Sequence, residues 1–254
     1  MLARGANIGK VILGAILALA VAAGLIVLVA PLIIAEATGG SNYQIRDDAM
    51  APALLQGDWV LAEALPPGSL PPRGAIIAFE VPHASGQYEV RRLIGLPGER
   101  VQMRGGAVYI DGKRAGMTRM EDRIIARRPS ARRARMPHCI NDPVEIDGEC
   151  RQERWRETLP DGTETVVLNA KGKIGTVRFG QRGTTDDTKS YRVPPDAVFV
   201  IGDNRDDSID SRAEYYGMVP VRNIQHRVWM IHSSLDKSGR FIYPRFDRFF
   251  RRID

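Results

Sequence analysis

The stretch Gly202-Asp203-Asn204-Arg205-Asp206-Asp207-Ser208-Ile209-Asp210-Ser211-Arg212 packs four carboxylates, two guanidiniums and two hydroxyls into eleven positions. Directly before it, Ala197–Ile201 is a short unbroken apolar run of the kind that makes a buried strand. Directly after it comes Gly217-Met218-Val219-Pro220. Gly202 and Gly217 read as turn residues with positive φ. A charged loop hung on a buried strand is either a solvated acidic turn or a site that the strand positions. The rest of the chain decides between these.

Moving outward, further short apolar or alternating runs lie between turn residues. They are Asp58–Leu61, Ala75–Val81, Tyr88–Ile94, Val101–Ile110 and Arg227–Ile231. Asp111-Gly112 predicts a hairpin turn after Val108-Tyr109-Ile110. Pro160-Asp161-Gly162 predicts another, between Arg154–Leu159 and Thr163–Leu168. Long helical periodicity is absent beyond the first 35 residues, so the fold class is mainly β. The more polar stretch 115–190 reads as a subdomain inserted on the main sheet.

The N-terminus is different. Val11 to Ala35 is 25 residues without a charge. As a helix it would run roughly 37 Å, enough to cross a hydrocarbon core of about 30 Å with some tilt. Ala35-Glu36-Ala37 fits a small-x-small cleavage site, but the apolar cores of cleaved leaders run only about 7–15 residues. A permanent anchor over 11–35 is the expectation. Arg4 and Lys10 precede the span and Glu36 is the first charge after it, so the positive-inside rule leaves 1–10 cytoplasmic and exports 36–254. The expected location is therefore a membrane crossed once, with the main domain extracytoplasmic.

The chain has 254 residues and a net charge of +6, with 36 basic residues of which only six are lysine. No lysine stands between Lys10 and Lys113. A basic chain suggests nucleic acid or anionic membrane as partner. Export removes nucleic acid and leaves the lipid bilayer and its anionic headgroups. Seven arginines between Arg119 and Arg135 (Arg119, Arg123, Arg127, Arg128, Arg132, Arg133, Arg135) are a solvated face or a headgroup contact. The Arg/aromatic run from Arg240 to Arg252 is a membrane-surface contact or a tail packed on the core. Cys139 and Cys150 are the only cysteines. In an oxidising compartment they are expected to pair, worth about 3 kcal/mol by loop entropy, with two free buried thiols as the alternative. His138 alone is too few ligands for a metal there. No cofactor is implied.

Four segments in order complete the reading: Asp48-Ala49-Met50-Ala51-Pro52 with Gly57-Asp58; Arg91-Arg92-Leu93-Ile94-Gly95-Leu96-Pro97-Gly98-Glu99; Gly202–Arg212; and Gly217–Pro220. With the preceding anchor, they resemble the bacterial type I signal peptidase (leader peptidase) family over about residues 10–232. The resemblance implies a membrane-tethered serine endopeptidase that removes signal peptides after small-x-small sites. Its fold would be a coiled antiparallel β-sheet domain with a smaller β subdomain inserted between the second and third motifs. In that family a serine before Met-x-Pro is the nucleophile. A neutral lysine opening the Lys-Arg-x-x-Gly-x-Pro-Gly strand is the general base, its pKa lowered by desolvation. The resemblance makes Asp48, Met50, Pro52, Asp203, Asn204, Ser208, Asp210 and Arg212 supporting positions. Ser208 would hydrogen-bond the base, and Asp210 and Arg212 would form a charge pair.

Both reacting positions depart from that pattern. Ala49 has no hydroxyl, and the Arg91 guanidinium cannot lose its proton usefully in a protein. Asp47 and Asp48 precede the nucleophile position, where carboxylates would repel an oxyanion. A relocated dyad using Ser41, Ser208 or Ser211 would need Lys113 or a later lysine. An aspartic pair from Asp47 or Asp48 with Asp203 or Asp210 would need a shared proton in a fitted site. His83, His138, His226 and His232 carry no companion motif. The expectation is a non-catalytic family member in which Arg91 contacts Ser208 and Asp210. A cleft between Gln44–Pro52 and Tyr88–Leu93, lined by Ala49, Met50 and Ala51, could still bind signal peptides. The rival readings are an active peptidase with a rearranged site and a structural partner of the export machinery.

Overall fold

The computed structural model describes residues 2–37, 39–66, 68–82, 84, 86–129, 136–170, 186–236 and 242–253. In the first helix it describes the side chains of 10, 12–26, 29, 30, 33 and 37. His83, Arg132, Arg133, Arg135, Arg240 and Phe241 lie outside the described residues.

Helix α1 (Leu2–Ala37) comes first and exposes Ile12, Leu13, Ile16, Leu17 and Leu19. Its described side chains run unbroken only through 12–26. Among the described residues no helix is long and apolar enough to cross a membrane. The strands of the main sheet's first half follow: β1 (Ser41–Gln44), β2 (Asp58–Ala64), β3 (Ile76–Glu80) and β4 (Tyr88–Gly95). Next come β5 (Arg100–Arg104), β6 (Ala107–Ile110), β7 (Lys113–Arg114), β8 (Gly116–Arg119) and β9 (Arg123–Ala126). Beyond these lie β10 (Glu149–Gln152), β11 (Arg154–Thr158), β12 (Glu164–Leu168) and β13 (Tyr191–Arg192). The chain ends through β14 (Ala197–Ile201), β15 (Val219–Pro220), β16 (Ile224–Asp236), β17 (Tyr243–Pro244) and β18 (Arg251–Arg252).

The main sheet has the order β1-β2-β16-β3-β4-β14-β15, antiparallel throughout, with β17 and β18 paired to the long strand β16. Its central strands are covered on both faces, which is why they read as unbroken apolar runs rather than as alternation. In β3, Ile76 and Ala78 pack with Met50, Leu54 and Val60, while Ile77 and Phe79 turn to Leu93, Val198 and Val200. In β14, Phe199 and Ile201 face a third cluster with Ile94, Val101, Met103 and Leu159. Three apolar layers thus meet on the two strands, β4 and β14, that carry Arg91, Arg92 and the approach to Gly202.

Two strand expectations needed correction. Val101–Ile110 is a hairpin, β5 and β6, folded at Gly105-Gly106, whose φ values of 52 and 75° suit glycine. Arg227–Ile231 is the middle of the thirteen-residue β16. Its polar ends are masked as strand in sequence because neighbours β2, β3 and β17, not its own pattern, supply the pairing. The turns at Asp111-Gly112 and Pro160-Asp161-Gly162 join β6 to β7 and β11 to β12. Between Gly116 and Leu168 the chain forms a three-stranded sheet, order β12-β11-β8, and the ribbon β9–β10. Cys139 and Cys150 are disulfide-bonded across the loop that leads into that ribbon.

Candidate functional site

Asp47 to Pro52 form a turn after β1 that is held from two sides. The backbone N–H of Ala49 donates to Asp47 Oδ1 at 3.2 Å, and that of Ala51 donates to the Asp48 carbonyl at 3.0 Å. From the opposite side, Asn204 donates through its backbone N–H to the Ala49 carbonyl at 3.0 Å. Its side-chain Nδ2 donates to the Asp48 carbonyl at 3.1 Å. The quoted eleven-residue loop and the Ala49 turn, more than 150 positions apart, are therefore one structural unit.

The loop's remaining charges are consumed internally. Asp203 accepts two bonds from Arg92, at 2.7 and 2.6 Å, with both side chains buried. Asp210 accepts from Arg212 Nε and Nη2, both at 2.8 Å, and from the Gly202 N–H at 3.0 Å. Burial opposes ionisation of Asp210, but Arg212 and the Gly202 amide hold its carboxyl below the ordinary range. Arg205 forks onto Glu157 of β11 at 3.1 and 2.6 Å, a pair buried on both sides. These three pairs bury four of the loop's six charges and tie it to β4 and β11, so it is not simply a solvated acidic turn. Asp48 is half-buried; desolvation raises its pKa, while the Gln56 backbone N–H and Arg123 act in the opposite direction.

Gly202 does not have positive φ, contrary to expectation; Gly217 does, at 73°. Glycine is required at 202 for space. A Cβ there would stand 2.1 Å from Ser208 Oγ and 2.5 Å from the Ala49 carbonyl oxygen. Ser208 is thereby brought against the Ala49 turn. It lies near enough to Asp210 to favour the carboxylate. Yet its buried Oγ makes no hydrogen bond of acceptable geometry among the described residues.

Arg91 does not make the expected contacts with the Ser208 and Asp210 side chains. Its Nε and Nη2 donate to the carbonyl of Ile209, between them, at 3.2 and 3.1 Å. Nη1 donates to its own neighbour, the Val90 carbonyl, at 2.7 Å, and Nη2 lies 3.0 Å from Glu89 Oε2. Tyr216 donates its hydroxyl to the same Glu89 oxygen at 2.8 Å. Burial disfavours the Arg91 charge, but Glu89, Tyr216, Asp47 and Asp210 together outweigh it, and the pKa rises above the ordinary guanidinium value. Glu89 and Tyr216 were not singled out from the sequence. Glu89 could have been found, since it lies two positions from Arg91 on the same face of β4.

In front of these residues lies a cleft of about 570 Å³ between the 42–47 segment and residues 86–91, with Met50 and Trp59 at its floor. Tyr43 and Tyr88 face each other across it, ring centroids 6.1 Å apart. Of the three residues expected to line it, only Met50 does. Ala49 and Ala51 are buried behind the wall. The remaining candidates are dispersed: Ser41 is on β1, Lys113 is exposed on β7, and His226 Nδ1 is 2.8 Å from the Tyr43 hydroxyl. His232 is buried with neither ring nitrogen bonded. Among the described residues no group of three or more His, Cys, Asp or Glu side chains could hold a metal ion.

The family described as signal peptidase, peptidase S26, matches this chain over residues 14–232. The chain belongs to that family. Among curated relatives, signal peptidase I of Rickettsia bellii (strain OSU 85-389) is 32% identical over 153 residues, 60% of this chain and 44% of the relative. Signal peptidase I of Rickettsia canadensis (strain McKiel) is 29% identical over 185 residues, 73% of this chain and 57% of the relative. The chain thus spans about half the length of the curated signal peptidases it matches. A crystal structure of a signal peptidase I from Enterococcus faecalis V583 aligns at 25% identity with a TM-score of 0.31, covering 63% of this chain and 97% of that one.

The arginine-rich stretches also look different in three dimensions. Each described arginine of the first has a partner inside the protein. Arg119 binds Asp122, Arg123 binds Gln152, Arg127 binds the Val144 carbonyl, and Arg128 binds Asp147. In the second, Arg248 is buried against Asp58 and the Ala53 carbonyl, and Arg245 donates to Ser234 and the Gln56 carbonyl. The C-terminal tail is pinned to the core, while Tyr243, Phe246 and Phe250 stay exposed.

Proposed function

We propose that this chain is a membrane-anchored signal peptidase homologue that binds signal peptides in the Tyr43–Tyr88 cleft without cleaving them. The arrangement of Arg91 carries this reading. A general base must offer a free lone pair to the nucleophile. Here the base position is a permanently charged guanidinium, tied to the Ile209 carbonyl and Glu89, and the nucleophile position is an alanine. The unpartnered Ser208 hydroxyl supports it, since that is the group the family's lysine would engage. Asp47 supports it further by occupying the Ala49 N–H, the kind of donor that would otherwise stabilise an oxyanion.

Binding is supported by the cleft's shape and position. It is bounded by the backbones of β1 and β4 and can take an extended peptide by strand addition. The exposed apolar side chains of α1 over 12–26 support our placing 11–35 in a bilayer with 36–254 outside the cytoplasm, and the separate β12-β11-β8 sheet and β9–β10 ribbon support 115–190 as a subdomain.

The test incubates detergent-solubilised chain with a preprotein carrying an Ala-x-Ala site, beside the double variant A49S/R91K. Signal-peptide binding is read by crosslinking to the cleft. We expect crosslinking without cleavage in the unmodified chain and detectable cleavage in the double variant. Efficient cleavage by the unmodified chain would sink the reading.

A further inference from the structure

A second cavity, of about 390 Å³, lies between the β11–β12 hairpin and the C-terminal strand β18, away from the Tyr43–Tyr88 cleft. Its walls carry Arg154 and Arg156 from β11, Arg251 and Arg252 from β18, and Glu164 and Thr165 from β12. Arg92 also reaches it, but that charge is already matched by Asp203.

The other charges do not balance. Glu164 is the one carboxylate in the lining, and it stands 4.0 Å from Arg156, at the limit of an ion pair. Arg154 donates Nε to the Glu121 carbonyl, a neutral acceptor. Among the described residues neither Arg251 nor Arg252 meets a carboxylate, and Arg252 lies over the Trp229 ring instead. Among the described residues, four arginines therefore line one concavity that holds a single acid. Such an arrangement repels itself unless an anion enters.

Guanidinium forks match the paired oxygens of phosphate, whose charge and oxygen count can engage more than one arginine at once. A single carboxylate would satisfy one fork and leave the others.

We propose that this cavity binds a phosphate-bearing anion, held by Arg154, Arg156, Arg251 and Arg252. The cavity lies at the small end of ligand sites, which run roughly 300–1,000 Å³. It suits a phosphate or small phosphate ester whose remainder projects into solvent. Pro52 and Ala53, just beyond the Ala49 turn, form part of the wall. The proposal does not depend on whether the chain cleaves peptides.

The test uses the full chain in nonionic detergent, titrated with inorganic phosphate and with pyrophosphate at ionic strength held constant by potassium chloride. A parallel arm uses dihexanoyl phosphatidylglycerol against dihexanoyl phosphatidylcholine. Binding is read by calorimetry and by the rise in thermal midpoint. The expected result is saturable binding, weakened about tenfold or more in R251Q/R252Q and also in R156Q, from the opposite wall. These arginines are half-buried or exposed, so the substitutions spare the core. Saturation by inorganic phosphate assigns a soluble anion. Saturation by phosphatidylglycerol alone, with the same arginine dependence, assigns a lipid headgroup. No saturable binding in either arm, or binding undiminished in both R251Q/R252Q and R156Q, overturns the proposal.

Discussion

The Asp47 carboxylate accepts the backbone N–H of Ala49 at 3.2 Å. A serine placed at 49 would therefore find its own amide already engaged by a negative charge. We expect A49S/R91K to cleave a preprotein slowly, and D47S added to that background to raise the rate. A single oxyanion donor is worth about 10²–10³ in rate, which sets the scale of the gain. Single-turnover cleavage measures it. An unchanged rate on adding D47S would show that this hydrogen bond does not limit the site.

The Arg205–Glu157 pair ties the loop of the third motif to strand β11, with side chains 1% and 0% exposed. Removing one partner leaves an uncompensated buried charge. We expect R205A to destabilise the fold by about 3–5 kcal/mol, and R205M/E157M to lose far less. Urea denaturation of the three proteins decides this. Equal losses in the single and double variants would contradict it.

Asp206 is the pH-sensitive group near the site. Burial raises its pKa from an ordinary 3.8 to about 7; the Ala170 N–H works against this, and Asp186 and Glu153 reinforce the rise while Arg212 opposes it. A carboxyl that holds its proton more tightly when folded stabilises the native state at low pH. That contribution falls away as pH climbs from about 4 to about 7. D206N keeps an acceptor for the Ala170 amide but cannot ionise. Its stability relative to the unmodified chain should therefore rise across that window and level off above it. Urea midpoints over a pH series provide the measurement, and parallel curves would refute the assignment.

The Cys139–Cys150 bond closes a loop at a sequence separation of 11 beside the β9–β10 ribbon. Loop entropy puts its worth at about 3 kcal/mol. Arg123 of β9 binds Gln152 of β10, so loosening the ribbon also frees Arg123 from its place near Asp48. We expect reduction to lower the thermal midpoint and to speed proteolysis between Arg123 and Gln152, with β3 and β14 still protected from hydrogen exchange. Uniform loss of protection would show instead that the ribbon is integral to the main core.

The strands were legible where both faces are buried. Ala197–Ile201 and Ala75–Val81 show unbroken apolar runs because apolar layers cover them on either side. Strand β16 was legible only in its middle, since its ends are polar and are held by pairing to distant neighbours. The role of Gly202 was misread for a related reason. Nothing local demands glycine there; the demand comes from Ser208 and the Ala49 carbonyl closing around it.

The arginines show the same division. Counting established 36 basic residues and a gap without lysine between Lys10 and Lys113. It could not say which guanidiniums were already matched. Folding pairs Arg92 with Asp203, Arg205 with Glu157 and Arg248 with Asp58, across separations of 111, 48 and 190 residues. It leaves Arg154, Arg156, Arg251 and Arg252 gathered around one cavity.

By itself, the sequence determined that residue 49 has no hydroxyl and residue 91 no removable proton, because those are properties of the side chains. It also determined the family, through the order of four short motifs. Only the tertiary structure decided that Arg91 turns to Ile209 and Glu89, that Asp47 holds the Ala49 amide, and that Ser208 is left unpartnered. Hydrogen bonds act over about 3 Å, and which groups come that close is set by how strands far apart in sequence are layered together.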